Sequence, residues 1–154
     1  MIDWNKINKK SAKTASQNEK SNNEQYAKII EKTKSKAEEY LHNPEKTKRL
    51  LEDAVKKSKS YEKNRGPLGE VWSYLTALFR LLRAYIRGEY RDIPRSSIVL
   101  VTVGIIYFVS PIDLWPDSLP GGLIDDVAVI GFVIAQIKAD LDNFLTWEIT
   151  QAKN

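Results

Sequence analysis

The sequence predicts an all-α fold of about five helices, and three observations carry the prediction. Apolar residues recur at three- and four-residue spacing in four separate stretches. The one β-branched run that could compete as a strand, Ile98–Ile106, has helical patterns on both sides. Capping and breaking residues sit at the junctions between the stretches. At 154 residues the chain is long enough for one domain with a substantial core.

Residues 5–25 are mostly Lys, Asn, Ser, Gln and Glu, and 1–24 reads as a disordered basic tail. A lysine-rich helical extension follows over 25–66. Its first helix places Tyr26, Ile29, Ile30, Thr33, Ala37, Tyr40 and Leu41 on one face. His42-Asn43-Pro44-Glu45 resets the chain: Asn43 suits a helix cap, Pro44 the first helical position, and Glu45 the positive end of the dipole. The second helix carries a thinner stripe of Leu50, Leu51, Ala54, Val55 and Tyr61 and ends at Asn64-Arg65-Gly66-Pro67.

The main helical domain is expected over 67–150. Its first helix, about Leu68 to Tyr90, has a wide apolar face that includes Trp72, Leu75, Leu78, Phe79 and Leu82. Arg80, Arg83, Arg87 and Arg91 form a stripe beside and opposite that face, and Gly88 marks the end. The next helix runs from about Arg95 to Val109, apolar on all sides, with Gly104 as a candidate close crossing. The last begins near Gly122–Asp125 and extends past Trp147. Leu123, Val127, Ile130, Ile134, Ile137, Leu141 and Phe144 step alternately by four and three, the spacing of a helix–helix seam. The two apolar helices form a hairpin, closed by a Pro/Asp-rich turn.

Composition removes several kinds of chemistry. There is no cysteine, so disulfides, thiolate metal sites and a thiol nucleophile are excluded. His42 is the single histidine, which excludes a histidine-rich metal site and a serine–histidine triad within one chain. Met1 to Lys6 lack the apolar core of a signal peptide. Ile98–Val109 spans 12 residues, short of the ~20 needed to cross a bilayer. The net charge of +4 conceals a gradient: residues 1–67 carry 17 Lys/Arg against 10 Asp/Glu, and 98–154 carry two against seven. The basic half suits an anionic partner, or is simply a solvated surface.

The candidate chemistry lies in the turn. Ser110, Pro111, Pro116, Pro120 and Gly122 shape it, and Asp113, Asp117, Asp125 and Asp126 charge it. Ser110-Pro111-Ile112-Asp113 has the form of a helix start, and Asp125 and Asp126 fall in the first turn of the last helix. Capping and ion pairs with Arg80, Arg83, Arg87 or Arg95 explain the carboxylates structurally. The functional alternative is a hard cation, Mg²⁺ or Ca²⁺, on the four aspartates. No organic cofactor and no catalytic residue is indicated, because no nucleophile or cofactor loop accompanies the acids.

Three segments resemble a known family: Gly88-Glu89-Tyr90-Arg91-Asp92-Ile93-Pro94, then Tyr107-Phe108-Val109-Ser110-Pro111-Ile112-Asp113-Leu114-Trp115-Pro116-Asp117, then Gly122-Leu123-Ile124-Asp125-Asp126. They are similar to the YkvA-like proteins, a bacterial domain of unknown function. That family's hallmark is a Tyr-x-x-Ser-Pro-x-Asp-Leu-x-Pro-Asp turn before a Gly-x-x-Asp-Asp helix start. Trp115 stands where an aliphatic residue is more usual. The resemblance implies an α-helical domain, often regarded as membrane-associated, with no established enzymatic activity.

The resulting expectation is a non-enzymatic helical protein at the cytoplasmic face of the membrane. Its apolar hairpin would dip into lipid, and Arg80, Arg83, Arg87 and Arg91 would meet anionic headgroups. The alternative is a soluble cytoplasmic bundle binding a divalent cation through its aspartates. Another protein or a second copy of the chain is the further candidate partner. Nucleic acid is disfavoured, because the lysines lack interleaved stacking aromatics beyond Tyr26, Tyr40 and Tyr61.

Overall fold

The computed structural model describes residues 19–61, 69, 71–110 and 126–153. These form six α-helices and contain no strand. They are α1 (Glu19–Leu41), α2 (Pro44–Lys59), α3 (Trp72–Ile86), α4 (Arg95–Val109), α5 (Asp126–Gln136) and α6 (Lys138–Ala152).

Local chemistry sets the first junction as the sequence predicts. The Asn43 side chain accepts from the Lys46 N–H at 3.2 Å, Pro44 occupies the first position of α2, and Glu45 lies in its first turn. The Thr47 hydroxyl, fully buried, donates to the carbonyl of Tyr40 and to that of Asn43. This ties the end of α1 to the start of α2 without relying on apolar contact alone.

The C-terminus of α3 is a Schellman motif. The Glu89 N–H reaches the Ala84 carbonyl at 2.9 Å and the Gly88 N–H reaches that of Tyr85 at 3.1 Å. Gly88 stands at φ +75°, where a side chain is strained even in open space. Gly88→Ala is therefore expected to cost about 1–2 kcal/mol. Chemical denaturation checks this; an unchanged midpoint would mean that the turn relaxes out of the left-handed conformation.

Helix α4 is the axis of the bundle, with α1, α2, α3 and α5 all packed on it. From Ser97 to Phe108 every side chain except Leu100 is buried. Each fully buried Val, Leu or Ile there contributes about 1.5–3 kcal/mol. Gly104 provides the close crossing: a Cβ placed on it would lie 3.3 Å from Val133 Cγ1 and 3.6 Å from Leu78 Cδ1. The lysine-rich helix α1 is part of this core, burying Ile30, Thr33 and Ala37 while Lys28 and Lys32 stay exposed.

Two expectations change. The last helix is not continuous: at Ile137 (φ −113°, ψ 17°) the chain leaves helical geometry for one residue and divides into α5 and α6. The bend lets α5 lie on α4 and α6 on α3, while Ile130, Ile134, Ile137, Leu141 and Phe144 stay buried as one seam. Helix α3 is also shorter than expected, because the residues after Ile86 turn back at Gly88.

The larger correction concerns the membrane. Among the described residues no helix is long and apolar enough to cross one. The expected membrane association, and the location at the cytoplasmic membrane face, are overturned. The physical reason is that the apolar surface of α4 is already occupied on all sides by other helices, so it is core rather than a lipid-facing surface.

Candidate functional site

The turn carrying the aspartates starts and ends at one end of the bundle. Gly104 lies opposite Val133, and the Ser97 hydroxyl donates to the Asp140 carboxylate. Residues advancing along α4 thus meet residues receding along α5 and α6, an antiparallel pairing. Extended to the helix ends, this register sets Ser110 level with the first turn of α5. Ser110 closes α4, its N–H bonded to the Ile106 carbonyl at 2.8 Å. The described part of α5 begins at Asp126. Asp113, Asp117 and Asp125, with Pro111, Pro116, Pro120 and Gly122, lie outside the described residues. So does the helix-start role expected of Ser110.

A lysine organises the end from which the turn departs. Lys57 of α2 donates to the Phe108 carbonyl at 2.7 Å, and its ammonium lies 5.3 Å from the centre of the Phe108 ring. The last turn of a helix leaves carbonyls in need of donors and carries negative partial charge, so a part-buried ammonium is stabilised twice there. Phe108 also packs against Phe79 and Tyr61, and Tyr61 against Trp72, with ring centres 5.7–6.5 Å apart. Sequence reasoning missed Lys57, because one lysine among several in a lysine-rich helix carries no distinguishing mark. Its position next to the buried Ser58 and one turn before Tyr61 was the available signal.

The arginines do not form one surface. Arg80 makes a two-pronged pair with Glu148 of α6, at 2.8 and 3.1 Å. Arg87 lies 3.8 Å from Glu89, and the Arg91 guanidinium sits 4.4 Å from the centre of the Tyr85 ring. Arg95 bonds Glu38 at 2.6 Å, and that hydrogen bond, then one to Tyr85, raises its pKa. Arg83 has no ion pair among the described residues. The expected membrane surface of Arg80, Arg83, Arg87 and Arg91 is accordingly split between an interhelical bridge, a ring contact and an exposed groove.

At the other end, Tyr90, Phe144 and Trp147 pack together with ring centres 5.1–5.6 Å apart. Burial pushes the Tyr90 phenol above its ordinary value, and the negative charges of Asp92 and Asp140 push it the same way. His42 is exposed, its Nδ1 2.7 Å from the Glu38 carbonyl, which makes it a helix-end residue. Among the described residues no group of three or more metal-ligating side chains comes together.

One family model matches the stretch from α4 to α5. Residues 97–132 match the family described as "Protein of unknown function (DUF1232)". The chain is also similar to the "Uncharacterized membrane protein YkvA" of Bacillus subtilis, 35% identical over 77 residues, which are 49% of this chain and 73% of that protein. The word membrane belongs to that protein's name and is not matched by a spanning helix among the residues described here. No solved structure matches. With that identity over nearly three quarters of the relative, the chain belongs to the YkvA-like family.

Proposed function

We propose that the chain is a non-enzymatic binding module, a helical bundle whose aspartate-rich turn holds a hard divalent cation. Asp113, Asp117, Asp125 and Asp126 supply the ligands. The observation that carries this reading is the antiparallel α4–α5 register, which returns both ends of the turn to one end of the bundle. Four carboxylates within 14 residues of one another then need positive charge at that end. Of the four arginines offered by the sequence as counter-ions, Arg80, Arg87 and Arg95 are paired with Glu148, Glu89 and Glu38, and Arg83 lines the exposed groove between α2 and α3. The donors available are all carboxylate oxygens, which suits Mg²⁺ or Ca²⁺ and disfavours ions that prefer nitrogen or sulfur.

A thermal-melt series with Mg²⁺, Ca²⁺ and Mn²⁺ tests the reading. A cation that binds only the native chain stabilises it by about 2.7 kcal/mol at 100 times its Kd. The expected result is a rise in midpoint that is lost in an Asp117→Asn, Asp126→Asn variant. No shift at millimolar metal, or an equal shift in the variant, removes the cation. In that case the aspartates act as helix caps, and the variant lowers the metal-free midpoint alone.

A further inference from the structure

Helices α2 and α3 enclose a surface groove of about 610 Å³ that neither the turn nor the core accounts for. Its floor is apolar, made by Leu51 and Val55 of α2 and Ile86 of α3. On α2 the floor is bracketed by Lys48 at one end and by Lys56 and Lys59 at the other. Eleven residues separate Lys48 from Lys59, about 16 Å along a helix axis. Arg83 and Arg87 form the opposite wall at the end of α3. All five cations are exposed, and Lys48, Lys56, Lys59 and Arg83 have no ion pair among the described residues.

We propose that this groove docks an acidic amphipathic helix of a partner protein, aliphatic side chains on the floor and carboxylates against the bracketing cations. Charge complementarity sets the sign of the occupant: five cations outnumber the three acids that also line the groove, Glu45, Glu52 and Asp53. Those same acids argue against a nucleic acid, whose phosphates would meet them repeatedly, and no aromatic side chain among the lining residues offers a base a stacking surface. An apolar strip of about one helical turn, set between cations about two to three turns apart, matches the way an amphipathic helix is read by a groove. An arginine in the open wall is suited to two-pronged recognition of a carboxylate, and among the described residues Arg83 is paired with none. The proposal is independent of the cation at the turn.

The test uses the full chain and a fluorescein-labelled helical peptide with Leu every three to four residues, flanked by Glu. Its controls are the same peptide with Lys for Glu, polyglutamate, and duplex DNA. Fluorescence anisotropy at low ionic strength is expected to show binding of the acidic peptide and not of the Lys counterpart. A Lys59→Glu, Arg83→Glu variant is expected to weaken that binding about tenfold or more. The charge-reversed chain is also expected to gain affinity for the Lys peptide, a gain that a misfolded variant would not produce. The proposal is overturned by an absence of binding or by equal affinity in the variant. Polyglutamate or DNA binding as tightly as the amphipathic peptide would overturn it too, since general charge attraction would then suffice.

Discussion

Phe144→Ala is expected to destabilise the bundle by about 3–5 kcal/mol, the range for removing a buried aromatic side chain from a packed core. Phe144 is 1% exposed and lies in the seam where α6 turns onto α3. Its ring contacts both Tyr90, which follows the α3 turn, and Trp147 one turn along α6, so the substitution opens a cavity between α6 and the segment after α3. For a chain of this size the midpoint falls by about 2–4 °C per kcal/mol. Ile149, 60% exposed on the same helix, is the control, and Ile149→Ala should move the midpoint little. Differential scanning calorimetry checks both. If the two variants melt together, α6 is not part of the cooperative core.

Lys57→Met is the second large effect expected. It preserves the length and apolar stem of the side chain but removes the donor to the Phe108 carbonyl. A part-buried carbonyl deprived of its partner costs about 1–3 kcal/mol, and the negative end of α4 loses its counter-charge as well. Lys56, the exposed neighbour, provides the comparison, since Lys56→Met should be nearly silent in stability. Urea denaturation of the two variants separates the readings. Equal and small losses would show that the ammonium only rests on the helix end and does not hold it.

Much of the architecture was legible in the residues. Asn43-Pro44-Glu45 reads as a helix start and behaves as one, because capping depends on atoms within a few residues of each other. Gly88 reads as a stop for the same reason, and Gly104 reads as a crossing because nothing else explains a glycine inside an apolar helix. The apolar seam from Ile130 to Phe144 is also local in origin, a three- and four-residue periodicity carried across α5 and α6.

The candidate site was legible only as a list of carboxylates. Which arginines remain free to meet them depends on Glu38 and Glu148, residues 57 and 68 positions away from their partners. No spacing rule reaches that far. Nor does periodicity reveal that the core is shared with α1: a lysine-rich helix with a narrow apolar stripe looks peripheral until α4 is seen lying against it.

The sequence by itself determined the class of the fold, the helix ends with short-range caps, and the resemblance to the YkvA-like proteins. The tertiary structure decided what the apolar helix faces. An all-round apolar segment is equally suited to lipid and to the centre of a bundle, since both remove it from water. Only the arrangement of α1, α2, α3 and α5 around α4 distinguishes the two, and it encloses α4 in protein.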